Sequence, residues 1–392
     1  MKNLRNEIIR TLVDSGDMSI SAIAQRLEST TPTVTKYISE LIESGIVQNC
    51  GKSSASLGRK PCTYRINGKS SYFIGVAPRQ HELRLSLMDI GGNMVREETK
   101  PENLENTPET LERICREVED FIRDSQINTS RISEICFGLS GRVNTHTGES
   151  FSLFNFENHD KPLAEWLTER MGIRVIIDND TRAMAYGELA SANNDRYKNF
   201  LFVNAGWGIG LSIVTGGKIY YGMNGYSGEL GHTSVYNNEI ICHCGKKGCL
   251  ETVASGWALC NQLKSRVEKG QSTILGEAVK RGAPINEKDI VQAALNDDSL
   301  CQELIDNAGA ELGRQVANMI NIFNPEAVII GGSLMMAGES YIQSVKLAAR
   351  RYTLRLLLKD VEIIPSRLAE KAGMIGCCLE AREDYLFNRI LD

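Results

Sequence analysis

The sequence predicts an α/β protein that opens with a winged helix-turn-helix, and three observations carry this. Residues 3–66 hold three short helical patterns, then two strand patterns separated by a basic loop. From residue 72 strands alternate with helices, and the theme of three strands, a helix and a strand returns in the second half. Between residues 232 and 251 a histidine and three cysteines fall at metal-ligand spacing.

In the head, Leu4, Ile8, Ile9 and Leu12 recur at helical intervals until Ser15-Gly16 stops the run. Ser19 is a cap for a second helix that buries Ile20, Ile23, Ala24 and Leu27. Thr31 is placed as the N-cap of a third, with Pro32 at the first helical position, where its missing N–H costs nothing. Val34, Ile38, Leu41 and Ile42 form its inner face and Gly45 ends it. The outer face offers Thr33, Thr35, Lys36 and Tyr37, small or hydrogen-bonding groups suited to base edges, beside Thr31. Ile46–Gln48 and Thr63–Ile66 read as a hairpin, and the loop between them carries Lys52, Gly58, Arg59 and Lys60. Such a loop suits the negative potential of a narrow minor groove, although an ordinary protein-binding module with a solvated loop stays open.

In the body, residues 72–76, 83–88 and 94–99 read as strands, 110–124 as a helix capped by Thr107-Pro108, and 132–139 as a strand. A short strand at 175–177 ends in Asp178-Asn179-Asp180, with a helix from Thr181. Residues 200–204 and 210–214 form a second hairpin around a glycine loop. A helix at 306–323 leads through Asn324-Pro325 to a strand at 327–330 and Gly331-Gly332-Ser333.

At 42% hydrophobic and 24% charged residues the composition is that of a globular protein with room for two or three cores. No signal pattern and no apolar run near eighteen residues is found, so a cytoplasmic protein off the membrane is expected. Eleven cysteines, an odd number, with Cys136 and Cys377-Cys378 in apolar stretches, suit a reducing compartment. The net charge of −5 is uneven: residues 1–66 carry nine Lys/Arg against six Asp/Glu, which fits a nucleic-acid-reading head on an acidic body.

His232, Cys242, Cys244 and Cys249 mix imidazole and thiolate as tetrahedral zinc requires, with Gly245 and Gly248 allowing a tight backbone. With Gly228-Glu229-Leu230-Gly231-His232 ahead of it and Glu251 behind it, this segment resembles the ROK family of repressors and sugar kinases. The body likewise resembles the two-lobed, actin-like (ribonuclease H-like) sugar kinase fold, and the Gly-Arg-x-Pro of the wing is similar to that of ROK repressors. The resemblance implies one structural zinc per chain and ligand binding in the cleft between lobes. It also implies sugar contacts from Asn155, Asn179, Asp180, Glu229, His232 and Glu251, all groups that pair well with hydroxyls. His232 would then serve zinc on one ring nitrogen and sugar on the other.

The kinase half of the pattern departs from the family. Where ROK kinases read Asp-x-Gly-Gly-Thr, this chain has Val76-Ala77-Pro78-Arg79-Gln80-His81, and the second phosphate loop holds Trp207 where a small hydroxyl stands. With both cradles altered, at 77–82 and at 204–210, phosphoryl transfer is not expected, and Asp180, the equivalent of the kinase base, becomes a hydroxyl partner. The expected parts are a DNA-binding domain over 1–70 and a first lobe over 71–188, to which part of 370–392 can return. A second lobe over 189–392 carries the zinc loop 232–251. The whole reads as a sugar-responsive repressor, a homodimer or homotetramer that binds operator DNA and a sugar or sugar-phosphate effector. An ATP-dependent sugar kinase with a DNA-binding head, or a regulator controlled by a protein partner, are the alternatives.

Overall fold

A computed structural model describes residues 4–52, 61–156, 161–190 and 196–386, with Lys52 described by its backbone alone. The chain divides into two compact units, one of residues 1–179 with 374–392 and the other of residues 180–373. The division falls at Asn179/Asp180, earlier than the expected lobe boundary at 188.

The first unit begins with α1 (Leu4–Ser15), β1 (Met18–Ser19), α2 (Ile20–Arg26) and α3 (Thr31–Glu43). Then come β2 (Val47–Lys52) and β3 (Cys62–Ile66), in a sheet of order β1-β3-β2. Ile8, Ile9, Leu12, Ile23, Val34, Ile38 and Leu41 make the core of this winged helix-turn-helix. Ser19 caps α2 as expected, its Oγ accepting the Ala22 N–H at 3.2 Å. The cap of α3 is Thr30 and not Thr31: Thr30 Oγ1 accepts the Thr33 N–H at 3.4 Å, which moves Pro32 one position inward. Ile42, placed on the inner face from its spacing, is exposed because the buried stripe follows Val34, Ile38 and Leu41 alone. β1 was not expected; its two residues pair with Tyr64 and Thr63.

Next come β4 (Tyr72–Arg79), β5 (Glu82–Asp89), β6 (Met94–Pro101), α4 (Pro108–Asp124) and β7 (Ile132–Leu139). They are followed by the short pair β8 (Val143–Asn144) and β9 (Glu149–Ser150), then α5 (Leu163–Met171) and β10 (Val175–Asn179). The sheet order is β10-β7-β4-β5-β6, with β4, β5 and β6 antiparallel and β7 and β10 parallel to β4. The C-terminal helix α13 (Ala372–Asp384) covers this sheet. Ser86 Oγ donates to the Met374 carbonyl at 2.9 Å, and a Cβ on Gly75 would stand 2.3 Å from that oxygen. Gly75→Ala is therefore expected to force α13 off β4 and to cost about 1–3 kcal/mol, seen as a lower melting temperature of the first unit.

The second unit runs α6 (Asp180–Ala190), β11 (Phe200–Ala205), β12 (Ile209–Thr215) and β13 (Lys218–Ile219). The helices α7 (Glu251–Ala254), α8 (Gly256–Glu268), α9 (Gly276–Lys280), α10 (Glu287–Leu295) and α11 (Ser299–Phe323) follow. β14 (Ala327–Gly331), α12 (Glu339–Tyr352) and β15 (Glu362–Pro365) complete it. α11 starts before the expected residue 306 because Asp298 caps it, accepting the Cys301 N–H at 2.9 Å. The order β13-β12-β11-β14-β15 repeats the first sheet: three antiparallel strands, then two parallel ones that follow helices. This repeat is the two-lobed, actin-like kinase topology.

Candidate functional site

Thr31, Thr33, Thr35 and Lys36 are exposed along the first turns of α3, and Tyr37 is half-buried. Lys36 Nζ lies 3.9 Å from Glu40 on the same helix, a solvated pair that leaves it able to meet a phosphate. Lys36→Ala is expected to weaken binding to all DNA sequences alike and to lower the slope of log affinity against log salt by about 1. Gly58, Arg59, Lys60 and the side chain of Lys52 lie outside the described residues.

The metal-ligand candidates converge in the second unit. One ligand atom from each of His232, Cys242, Cys244 and Cys249 lies within 4.8 Å of the others. Cys242 Sγ stands 3.5 Å from His232 Nδ1, and Cys244 Sγ 3.6 Å from Cys249 Sγ. A zinc tetrahedron with bonds of about 2.3 Å to sulfur and 2.0 Å to nitrogen has edges of roughly 3.5–3.8 Å, so this donor set fits zinc.

The backbone builds the cluster. The Gly245 N–H donates to the Cys242 carbonyl at 2.8 Å, and the Cys242 N–H to the Lys246 carbonyl at 2.8 Å, folding the knuckle. Lys246 Nζ donates to the His232 carbonyl at 3.0 Å, tying the histidine to the knuckle. Burial pushes the Cys242 thiol up to about 12 and raises Cys249. At Cys244 burial also raises, but the Lys246 backbone and the flanking thiols outweigh it and leave the group lowered. A metal captured as thiolate displaces protons from Cys242 and Cys249, so its uptake strengthens as pH rises.

His232 turns its other nitrogen away from the thiols. Nε2 lies 3.8 Å from Glu229 Oε2, so the ring joins the three thiols to a carboxylate. Glu251, two residues past Cys249, directs Oε1 to 3.9 Å from Cys242 Sγ and accepts the Ile209 N–H on Oε2 at 3.1 Å. A Cβ on Gly231 would lie 2.3 Å from the Ile209 carbonyl, so that residue must be glycine for His232 to reach its place. Asp180 opens α6, its Oδ1 accepting the Thr181 N–H at 2.7 Å.

Two candidates belong to the first unit. Asn179 donates from Nδ2 to the Gly141 carbonyl at 2.9 Å. Asn155 is exposed and, with Phe151, Phe154, Phe156 and Lys161, borders a cleft of about 190 Å³. Sequence reasoning missed Arg182. It is buried, donates from Nη1 to the Gly225 carbonyl at 2.5 Å and stacks 5.2 Å over Tyr221, fixing the loop that leads to Glu229. Lys246 was missed as well, since one cation near a cysteine cluster carries no signal of its own.

The altered kinase segments have structural roles. β4 continues through Ala77, Pro78 and Arg79, pairing with β5 to Glu82, so a two-residue turn stands where a phosphate loop is expected. Trp207 packs against the core of the second unit, and its carbonyl accepts the Trp257 N–H at 3.1 Å. Gly332 has φ +94°, and a Cβ there would lie 2.3 Å from the Ala205 carbonyl, so the glycine pair serves strand packing. Beside it the buried Glu287 accepts the Ser333 hydroxyl at 2.8 Å.

Comparison with known proteins decides the family. The ROK family pattern matches residues 73–383, and a winged helix-turn-helix DNA-binding pattern matches residues 1–48. The chain belongs to the ROK family. Over 383 residues it is 29% identical to a putative xylose repressor of Caldicellulosiruptor sp., covering 97% of this chain and 95% of that one. The glucokinase of Halalkalibacterium halodurans is 29% identical over 307 residues, covering 78% of this chain and 93% of that one. Among solved ROK structures, a transcriptional regulator described as a homolog of E. coli MLC superposes with a TM-score of 0.80 at 26% identity. That match covers 97% of this chain and 96% of the other. Among the described residues no helix is long and apolar enough to cross a membrane.

Proposed function

We propose that this ROK protein is a sugar-responsive transcriptional repressor of carbohydrate-utilisation genes. One observation carries the reading: the repressor relative matches head and body together, whereas the glucokinase relative matches a share of the chain that leaves about a fifth unaccounted for. The head over 1–70 holds operator DNA through Thr31, Thr33, Thr35, Lys36 and Tyr37, with Lys52, Gly58, Arg59 and Lys60 on the wing. A homodimer or homotetramer presents such heads to two half-sites.

The effector is a sugar or sugar phosphate. Its proposed hydroxyl partners are Asn155, Asn179, Asp180, Glu229, His232 and Glu251. One zinc held by His232, Cys242, Cys244 and Cys249 would be structural, since all four positions are taken by protein. It would fix the segment that carries His232 and Glu251, orienting sugar ligands through the histidine ring. A tenfold change in operator affinity requires about 1.4 kcal/mol of coupling between sugar and DNA.

The protein is not an enzyme in this reading. The β4–β5 turn and the packed Trp207 favour it, and Glu287 sets a carboxylate beside Gly332 where anionic phosphates would be repelled. Mg-ATP is accordingly expected to leave the melting temperature unchanged. The test of the function is fluorescence anisotropy on DNA upstream of the protein's own gene and its neighbours, at fixed salt, titrated with sugars and sugar phosphates. Tight binding altered by one sugar is the expected result. Indifference to every sugar favours control by a protein partner, and nucleotide-dependent stabilisation favours the kinase.

A further inference from the structure

The second unit carries a surface that neither the metal cluster nor the proposed effector residues use. α11 ends at Phe323, and α12 is followed by a stretch with one 3-10 turn, Leu357–Lys359, before β15. Asn321 clasps the two: its Nδ2 donates to the Tyr352 carbonyl at 3.2 Å and its Oδ1 accepts the Leu354 N–H at 3.0 Å. Around this clasp apolar groups stand in solvent, with Ile322 67%, Leu354 64% and Leu356 73% exposed, and Phe323 and Tyr352 beside them. Single exposed leucines need no explanation, but several gathered at one clasp mark an interaction site.

The rim is cationic. Residues 340–359 contain Lys346, Arg350, Arg351, Arg355 and Lys359 and no Asp or Glu. The guanidiniums of Arg314 and Arg351 lie 5.2 and 5.7 Å from the Tyr352 ring centre, holding that ring against the rim. Asp360 follows next along the chain, and Glu311 lies 3.6 Å from Arg314.

We propose that this surface docks a protein whose contact face has an apolar centre ringed by Asp and Glu. Arginine and aromatic residues over an apolar centre are the composition of protein interfaces. The same face of a second copy would set like charges against each other. A lipid surface would want the apolar side of a helix, and that side of α12 is spent, with Tyr341, Ile342, Val345 and Ala349 buried. Nucleic acid phosphates would satisfy the arginines but leave Leu354, Leu356 and Ile322 in water. The surface lies at the edge where β14 and β15 begin, and the Gly331–Gly332 turn and its neighbour Asn204 lie where β14 and β11 end. A docked partner thus leaves Glu229, His232 and Glu251 accessible and acts as a second input beside the sugar.

The test places a photo-crosslinking residue at Leu354 or Leu356 of the full chain, in the cells that make it, with the exposed Ile274 as control. One discrete adduct with a different protein is expected from the first two positions and none from the control. That protein, purified, should bind the full chain, and Arg351→Glu with Arg355→Glu should weaken binding at least tenfold with melting temperature and operator binding unchanged. Reversal of Asp or Glu to Lys on the partner's crosslinked face should restore it. Lack of a discrete adduct, an adduct only with a second copy, or failure of the reversal overturns the proposal. So does a double variant whose loss is instead of binding to duplex DNA or to phosphatidylglycerol vesicles.

Discussion

Cys244→Ser is expected to leave the protein without stoichiometric zinc and with effector affinity at least tenfold lower. With the proposed zinc bound the knuckle would hang on its metal, because among the described residues Cys242, Cys244 and Cys249 lie on a stretch whose isolated β-bridges are Ser234 with Cys249 and Ile241 with Lys247. Structural zinc supplies folding free energy of about 10 kcal/mol in small metal-dependent modules, so losing one thiolate loosens the whole loop. Loosening would reach the proposed sugar-binding residues by two routes. His232 belongs to the candidate metal cluster itself, and Glu251 follows Cys249 while holding the Ile209 N–H. Metal analysis, calorimetry with the effector and operator anisotropy should show the first two falling and DNA binding retained. Normal sugar affinity in a zinc-free variant would sink the reading.

Glu229→Gln should instead keep its zinc and its operator affinity while losing the response to sugar by about 10–100-fold in effector concentration. A hydrogen bond to a charged group contributes roughly 1.5–3 kcal/mol, and the substitution keeps shape while removing the charge that faces the His232 Nε2 edge. Effector titrations of both variants, read beside their metal contents, separate a sugar ligand from a loop-holding residue. Equal sugar response in Glu229→Gln and the unaltered protein would remove Glu229 from the site.

Much of this was legible because the relevant signals are local. Three helical stripes, the Ser19 cap and a cysteine knuckle are written within a few residues, and apart from Ile42, which is exposed, each stands where its spacing places it. The cap at Thr30 was not: Thr30, Thr31 and Thr33 are chemically alike, and only backbone geometry selects among them. Arg182 was illegible for a different reason. Its partners Tyr221 and Gly225 lie some forty residues away, and burial of an arginine leaves no periodic trace. The run of β4 through Pro78 also escaped notice, since proline argues against a strand interior until its place in the β5 ladder is seen.

The return of α13 to the first unit sets an order on biosynthesis. The head is encoded within the first 70 residues and its core is local, so it is complete while most of the chain has yet to be made. The first sheet is different: Gly75 and Ser86 meet Met374 and Cys378, contacts that span nearly three hundred residues. Its covering helix leaves the ribosome only after the entire second unit. A message cut short before codon 374 therefore yields a finished DNA reader on a sheet whose α13 face stays bare, a product marked for aggregation or proteolysis before it can occupy an operator.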